Sequence, residues 1–144
     1  MTNWDKRFLQ LAEHIAQWSK DPSTKVGAVI VRPDKTICST GYNGFPKGMQ
    51  DGPNWLKDRE EKYSRIIHAE INAILHSKED LKAYTLYVSP FMPCDRCSVQ
   101  IIQTGIKRVV TTDLVVERWI ESFNKTENYF KECGVELVKL NAEK

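Results

Sequence analysis

The sequence predicts an α/β domain built on a central five-stranded mixed sheet flanked by helices. Apolar residues at helical spacing alternate with short β-branched runs, in the order α-β-β-α-β-α-β-α-β. The first two strands are separated only by a turn, as in a hairpin, whereas the later strands are separated by helices, so the sheet mixes antiparallel and parallel pairs. The 144 residues contain no internal repeat, linker or low-complexity stretch and are read as one domain, 1–144.

Trp4, Phe8, Leu11, Ile15 and Trp18 recur at helical spacing and mark an amphipathic first helix, ended by Asp21-Pro22-Ser23. Val26 to Val31 is a continuous apolar run, as a buried strand requires. Arg32-Pro33-Asp34-Lys35 is a turn, and Thr36 to Tyr42 is the second strand. A glycine- and proline-rich loop follows from Gly41 to Gly48 and runs on to Gly52-Pro53; a loop this long in a small domain is usually functional. Lys57 to Arg65 carries dense charge of both signs and reads as a solvated face or short helix. Ile67, Ile71, Ile74 and Leu75 mark the second long helix, and Thr85 to Ser89 the third strand. Pro93 opens a helix that Gly105 stops, and Arg108 to Thr112 is the fourth strand. Val116, Trp119, Ile120, Phe123 and Phe130 mark the last helix, with Gly134 past its end and Val135 to Leu140 as the last strand.

Composition excludes several classes. Apolar residues make up 41% and charged residues 28%, the balance of a soluble globular chain. The net charge of +2, from 21 Lys+Arg against 19 Asp+Glu, gives no general grip on nucleic acid or membrane. No apolar run approaches the ~20 residues of a membrane helix. The first residues lack a signal pattern, so a cytoplasmic location is expected, and with it reduced cysteines.

Of the four cysteines, Cys94 and Cys97 form a close pair. Alone it would read equally as a redox pair or half of a structural zinc site. It follows His68-Ala69-Glu70, however, and Pro93 precedes it, so the chain carries the H-x-E…P-C-x-x-C pattern of zinc deaminases. Cysteines three apart lie on one side of a helix. One imidazole and two thiolates are good zinc ligands, and three protein ligands leave a fourth tetrahedral position for water, as catalytic sites do. Both segments open helices, whose partial positive charge favours thiolates. Glu70 lies about 200° around an ideal helix from His68, but in a first turn both side chains can reach the space before the helix end. There Glu70 would act as a proton shuttle rather than a ligand. His14 is expected to be exposed, His76 to be structural, and Cys38 and Cys133 to be small core residues. Asn72 is read as a brace for its helix end.

These residues resemble the cytidine/deoxycytidylate deaminase superfamily, and most closely its deoxycytidylate (dCMP) deaminases of bacterial or phage kind. The resemblance runs through Ser19-Lys20-Asp21-Pro22-Ser23, Val26 to Val31, Gly41-Tyr42-Asn43-Gly44-Phe45-Pro46, His68 to Ile74, Pro93 to Cys97 and Ile101 to Ile106. It implies a three-layer cytidine-deaminase-like fold and hydrolysis of dCMP to dUMP and ammonia, feeding thymidylate synthesis. His68, Cys94 and Cys97 would hold one Zn2+ and Glu70 would be the catalytic proton shuttle. The Ala69 backbone would bind the base and Asn43 the sugar. The resemblance also implies a homohexamer activated by dCTP and inhibited by dTTP, with Gly44, Phe45 and Lys47 as effector contacts and Mg2+ accompanying the effector triphosphate. Some phage relatives add a second zinc built from residues before the catalytic histidine; here only Cys38 and His14 are present there, so a single zinc is expected. The stretch Ser89 to Cys94 is one residue longer than the commoner family form, which leaves the roles of Phe91 and Met92 open. Lys20, Ser23, Thr24 and Lys25 are equal candidates for the substrate phosphate. The competing readings are a zinc deaminase for tRNA adenosine, guanine or single-stranded DNA, and a non-enzymatic zinc module.

Overall fold

The structure is a computed structural model that describes residues 3–49 and 59–141. Its elements are α1 (Asn3–Ala16), β1 (Gly27–Val31), β2 (Ile37–Tyr42), α2 (Arg59–Arg65), α3 (Ala69–Ser77), β3 (Thr85–Ser89), α4 (Asp95–Thr104), β4 (Arg108–Thr112), a 3-10 turn (Glu117–Trp119), α5 (Ile120–Cys133) and β5 (Glu136–Leu140). The charged stretch before residue 65 is thus a short helix; its start at Lys57 and the loop's run to Gly52-Pro53 lie outside the described residues.

The five strands form one mixed sheet in the order β2-β1-β3-β4-β5. β1 pairs antiparallel with both β2 and β3, while β3, β4 and β5 run parallel. Every residue of β1 is buried, as its unbroken apolar run requires, because helices cover both faces. Val29, Val31, Tyr87 and Val110 pack on one face against Phe8, Leu9, Ala12 and Ile15 of α1. Ala28, Ile30, Leu86, Val88 and Val109 pack on the other against residues of α3, α4 and α5. This makes three layers, with α1 the one described helix on its side.

Two glycines set how closely the layers approach. A Cβ on Gly27 would stand 2.1 Å from the Ala12 carbonyl oxygen, and one on Gly41 would stand 2.4 Å from the Ala73 nitrogen. α1 therefore rests directly on β1, and α3 directly on β2. The Asn72 side chain donates to the Tyr42 carbonyl at 2.8 Å and braces α3 as expected.

Trp4 and Trp18 are exposed at the two ends of the first helical stretch, and Leu9, Ala12 and Ala16 are buried beside Phe8 and Ile15. Three expectations need correction. The helix stops at Ala16, before Trp18. Cys133 is exposed, as are Lys131, Glu132 and Gly134 around it, while Phe130 is the residue of that turn that enters the core. Trp119 does not sit in α5 but in the 3-10 turn that precedes it. No described helix is long and apolar enough to cross a membrane.

Candidate active site

The site lies beyond the carboxyl end of β3, where parallel α/β sheets commonly bind ligands. His68 is the N-cap of α3 and Cys94 the N-cap of α4, both with extended backbone, and Cys97 sits in the first turn of α4. Neither cap makes a side-chain capping bond, so both side chains are free for other work. Backbone bonds seat the two ends: Gly44 and Ile67 exchange N–H···O contacts of 3.1 and 2.8 Å just before His68. On the other side Ser122 and Thr126 of α5 hold the turn around Cys94. The Asp95 N–H donates to Ser122 Oγ at 2.9 Å, and Thr126 Oγ1 donates to the Pro93 carbonyl at 2.9 Å.

The result is a tight donor cluster. His68 Nδ1 lies 3.2 Å from Cys97 Sγ and 3.6 Å from Cys94 Sγ. All three ligand atoms fall within 4.8 Å of one another. A tetrahedral zinc with N and S bonds of ~2.0 and ~2.3 Å separates those atoms by about 3.6 Å, so the donor set fits the ion in type and spacing. The thiols are already polarised. The Cys97 thiol hydrogen-bonds the Cys94 sulfur and, with help from His68, holds it down to about 4, in the thiolate form. The same contact and burial push Cys97 up, and the bond to Cys94 raises His68. A dication shared among the three would deprotonate both sulfurs.

Glu70 is buried beside this cluster and lines the same cavity as His68 and Cys94. The helix start brings the two side chains together despite their angular offset. Burial pushes the Glu70 carboxyl up to about 6, partly opposed by His68. A carboxyl poised there can accept and return a proton near neutral pH.

The cavity has a volume of about 380 Å³, room for a small ligand. Val26, Phe91, Met92 and Phe123 supply apolar wall, with the Phe91 and Phe123 rings 5.7 Å apart. Phe91 and Met92, left open by the sequence, thus both line it. A polar wall is organised around buried Asp21. Its carboxylate accepts from the Ser23 and Thr24 N–H groups, from Lys62 Nζ at 2.8 Å and from Asn43 Nδ2 at 3.3 Å. Asn43 also donates to the Thr24 carbonyl and accepts from the Val26 N–H. Both its amide hydrogens are used, so toward a ligand it can only accept, through Oδ1.

Among the phosphate candidates, Ser23 and Thr24 line the cavity; Lys20 and Lys25 are not among its lining residues. Ala69 lines it. Gly44, Phe45 and Lys47 are not among the lining residues, and the Gly44 N–H is occupied by Ile67. His14 and His76 are exposed, and Cys38 is half-buried against the core. Sequence reasoning missed Lys62, Arg118 and Trp119, which all line the cavity. They come from two distant segments with no shared spacing, so no local pattern announces them.

Residues 2–113 match the family described as the cytidine and deoxycytidylate deaminase zinc-binding region. The chain belongs to this family. A deaminase encoded in the luxG 3′ region of Aliivibrio fischeri is 43% identical over 143 residues, covering 97% of this chain and 95% of that protein. Mouse deoxycytidylate deaminase is 42% identical over 113 residues, covering 74% of this chain and 63% of the mouse protein, so the chain spans less than two thirds of that relative. The dCMP deaminase of cyanophage S-TIM5, solved with dCMP and dUMP, superposes with a TM-score of 0.73 at 27% identity, over 97% of this chain and 99% of that one. The deaminase fold, the zinc donor set and the buried glutamate therefore coincide in one deaminase-family enzyme.

Proposed function

We propose that this deaminase hydrolyses dCMP to dUMP and ammonia. The observation that carries the reading is the placement of Glu70, buried against the His68–Cys94–Cys97 cluster in a cavity whose polar wall also holds Lys62 and Arg118. Zinc bound by His68, Cys94 and Cys97 acidifies water to a pKa near ~7 and so supplies a nucleophile at neutral pH. Glu70 takes a proton from the attacking water and delivers it to N3 of the cytosine ring as the C–O bond forms at C4. Glu70 then takes the proton of the new C4 hydroxyl and passes it to the amine, which leaves as ammonia as the C4–N bond breaks and the C4=O bond forms. The Ala69 N–H, in the first turn of α3 where amides lack intrahelical partners, donates to the base. Asn43 Oδ1 accepts from a sugar hydroxyl, the one role its bonding leaves open. Val26, Phe91, Met92 and Phe123 exclude bulk water from the ring.

The finer reading rests on the family resemblance. The enzyme works as a cytoplasmic homohexamer that supplies dTMP synthesis, with dCTP activating and dTTP inhibiting. The glycine-rich loop at Gly44, Phe45 and Lys47 receives the triphosphate with its Mg2+. Deamination followed by ultraviolet absorbance with zinc-loaded protein tests both levels. Turnover of dCMP, raised by dCTP and suppressed by dTTP, is expected. Turnover indifferent to both removes the effector loop and keeps the reaction. Turnover of single-stranded DNA but not of dCMP overturns the reading.

A further inference from the structure

The three donors of the metal cluster are held in different ways. Cys97 is carried within α4, and His68 follows the backbone bridge between Gly44 and Ile67. Cys94 stands before α4 with extended backbone, φ −73° and ψ 169°, and side chains of α5 hold it there. Thr126 Oγ1 donates to the Pro93 carbonyl at 2.9 Å, and the Asp95 N–H donates to Ser122 Oγ at 2.9 Å. Ser122 Oγ in turn donates to Asp95 Oδ1 at 2.6 Å, which fixes its hydroxyl. Ser122 and Thr126 are four apart and so share one face of α5. Thr126 is fully buried, and Phe130 anchors the same helix in the core.

Peptide groups are planar, so the chain turns only at its Cα atoms. The Pro93 carbonyl lies in the plane before the Cys94 Cα, and the Asp95 N–H lies in the plane after it. Pinning both planes fixes φ and ψ of Cys94 and with them the direction of its Cα–Cβ bond. One side-chain torsion then places Sγ. A residue that opens a helix ordinarily spends its side chain on the unpartnered amides of the first turn. Cys94 makes no such bond, and Ser122 supplies an oxygen to the first amide of α4 instead, which keeps the sulfur available for a metal. We propose that Ser122 and Thr126 are positioning residues of the metal site, aiming Cys94 Sγ at the ion shared with His68 and Cys97. Neither is among the residues that line the cavity. Both lie beyond residue 113, where the family match ends, so α5 completes a site whose donors all lie within the matched region. The inference rests on zinc as the bound ion and not on which base is deaminated.

The test measures zinc affinity of the full chain by competition with a chromogenic chelator, and the absorption spectrum of its Co2+ form. It compares wild type with Ser122→Ala, Thr126→Val and Thr126→Ser. Groups that orient metal ligands set affinity by about 10- to 100-fold. S122A and T126V should therefore each weaken zinc by about 10- to 100-fold and lower the thiolate-to-cobalt charge-transfer band. T126S keeps the hydroxyl and should stay within about threefold of wild type. Asp5→Ala, on the opposite face of the sheet, controls for stability alone and should also leave zinc affinity within about threefold. Wild-type affinity and spectrum in S122A and T126V overturn the proposal. T126S binding as weakly as T126V overturns it too, since shape and not the hydrogen bond would then matter. So does an equal loss in D5A, which would tie affinity to stability in general. Should T126V fail to fold, S122A decides. A wild type that binds neither Zn2+ nor Co2+ fails the metal reading itself, and the proposal with it.

Discussion

Glu70 shares a cavity with His68, two residues away, because the chain enters α3 between them. His68 still has extended backbone as the N-cap, and Glu70 is already helical, so both side chains reach the space in front of the helix. Burial there pushes its carboxyl up to about 6, which suits the proton-carrying role proposed for Glu70. Glu70→Gln keeps the shape and removes the proton carrier. It should lower kcat by about 10²–10⁴-fold with zinc content unchanged by elemental analysis. A loss of less than about tenfold would remove Glu70 from the mechanism. That His68, Glu70, Cys94 and Cys97 would come together was legible in the sequence, because each lies within two or three positions of a partner. Asp21, Lys62, Arg118 and Trp119 were not read as wall residues, because folding alone brings them together. Cys133 was misread for a related reason: its helix is amphipathic, but Phe130 takes the core-facing place in the last turn and Cys133 is left exposed.

At the scale of elements, strand and helix order followed from periodicity, since both sheet faces needed cover and only these segments could provide it. What periodicity could not show is how closely α3 sits on β2. The Gly41 position decides that. A Cβ there would meet Ala73 N at 2.4 Å and Ala69 O at 2.5 Å, both backbone atoms that cannot swing aside. Gly41→Ala should destabilise the fold by about 1–3 kcal/mol and, by moving Ala69 and so His68, weaken zinc about 10- to 100-fold. Gly44→Ala is the control: an added Cβ there meets nothing within 4 Å, so urea midpoints should stay within about 0.5 kcal/mol of wild type. Equal behaviour of the two variants would show that α3 can lift off β2 without cost. Another tie joins the β1–β2 turn to the loop after α3. Arg32 Nε and Nη2 donate to the two Glu79 carboxylate oxygens at 3.0 and 2.8 Å, and Tyr84 Oη donates at 2.5 Å. Arg32, then Tyr84, holds the Glu79 carboxyl at about 2, well below its ordinary 4.5. A depressed carboxylate stabilises the fold above its unfolded pKa and loses that contribution as pH falls through its folded one. Wild type should therefore have a higher urea midpoint than Glu79→Gln at neutral pH, and the gap should close between pH 4.5 and about 2. A gap that persists at the acid end would mean that Glu79 acts by shape and not by charge.

Across the whole molecule the two faces of the sheet carry different burdens. α1 covers one face and contributes no residue to the cavity, whereas α3, α4 and the 3-10 turn on the other contribute its chemistry. α1 is fastened by Asp5, buried in its first turn. Asp5 accepts from Tyr87 Oη at 2.7 Å and from Arg108 Nη1 and Nη2 at 2.8 and 2.7 Å. Burial and the contact with Asp5 keep the Tyr87 hydroxyl protonated as a donor. Asp5→Ala strands both donors and should cost about 3–5 kcal/mol. Metal removal strikes the opposite layer. Zinc held by His68, Cys94 and Cys97 would stabilise only the folded chain, by about 4 kcal/mol when free metal exceeds its Kd a thousandfold. For a chain of this size that is a shift of roughly 10 °C in Tm. Chelation should therefore lower Tm and abolish turnover together. Asp5→Ala should lower Tm comparably yet leave zinc content and, at a temperature where the variant is folded, kcat within about threefold. If instead the Asp5 variant lost zinc or turnover while folded, α1 would be coupled through the sheet to the metal, and the division of labour between the two faces would fail.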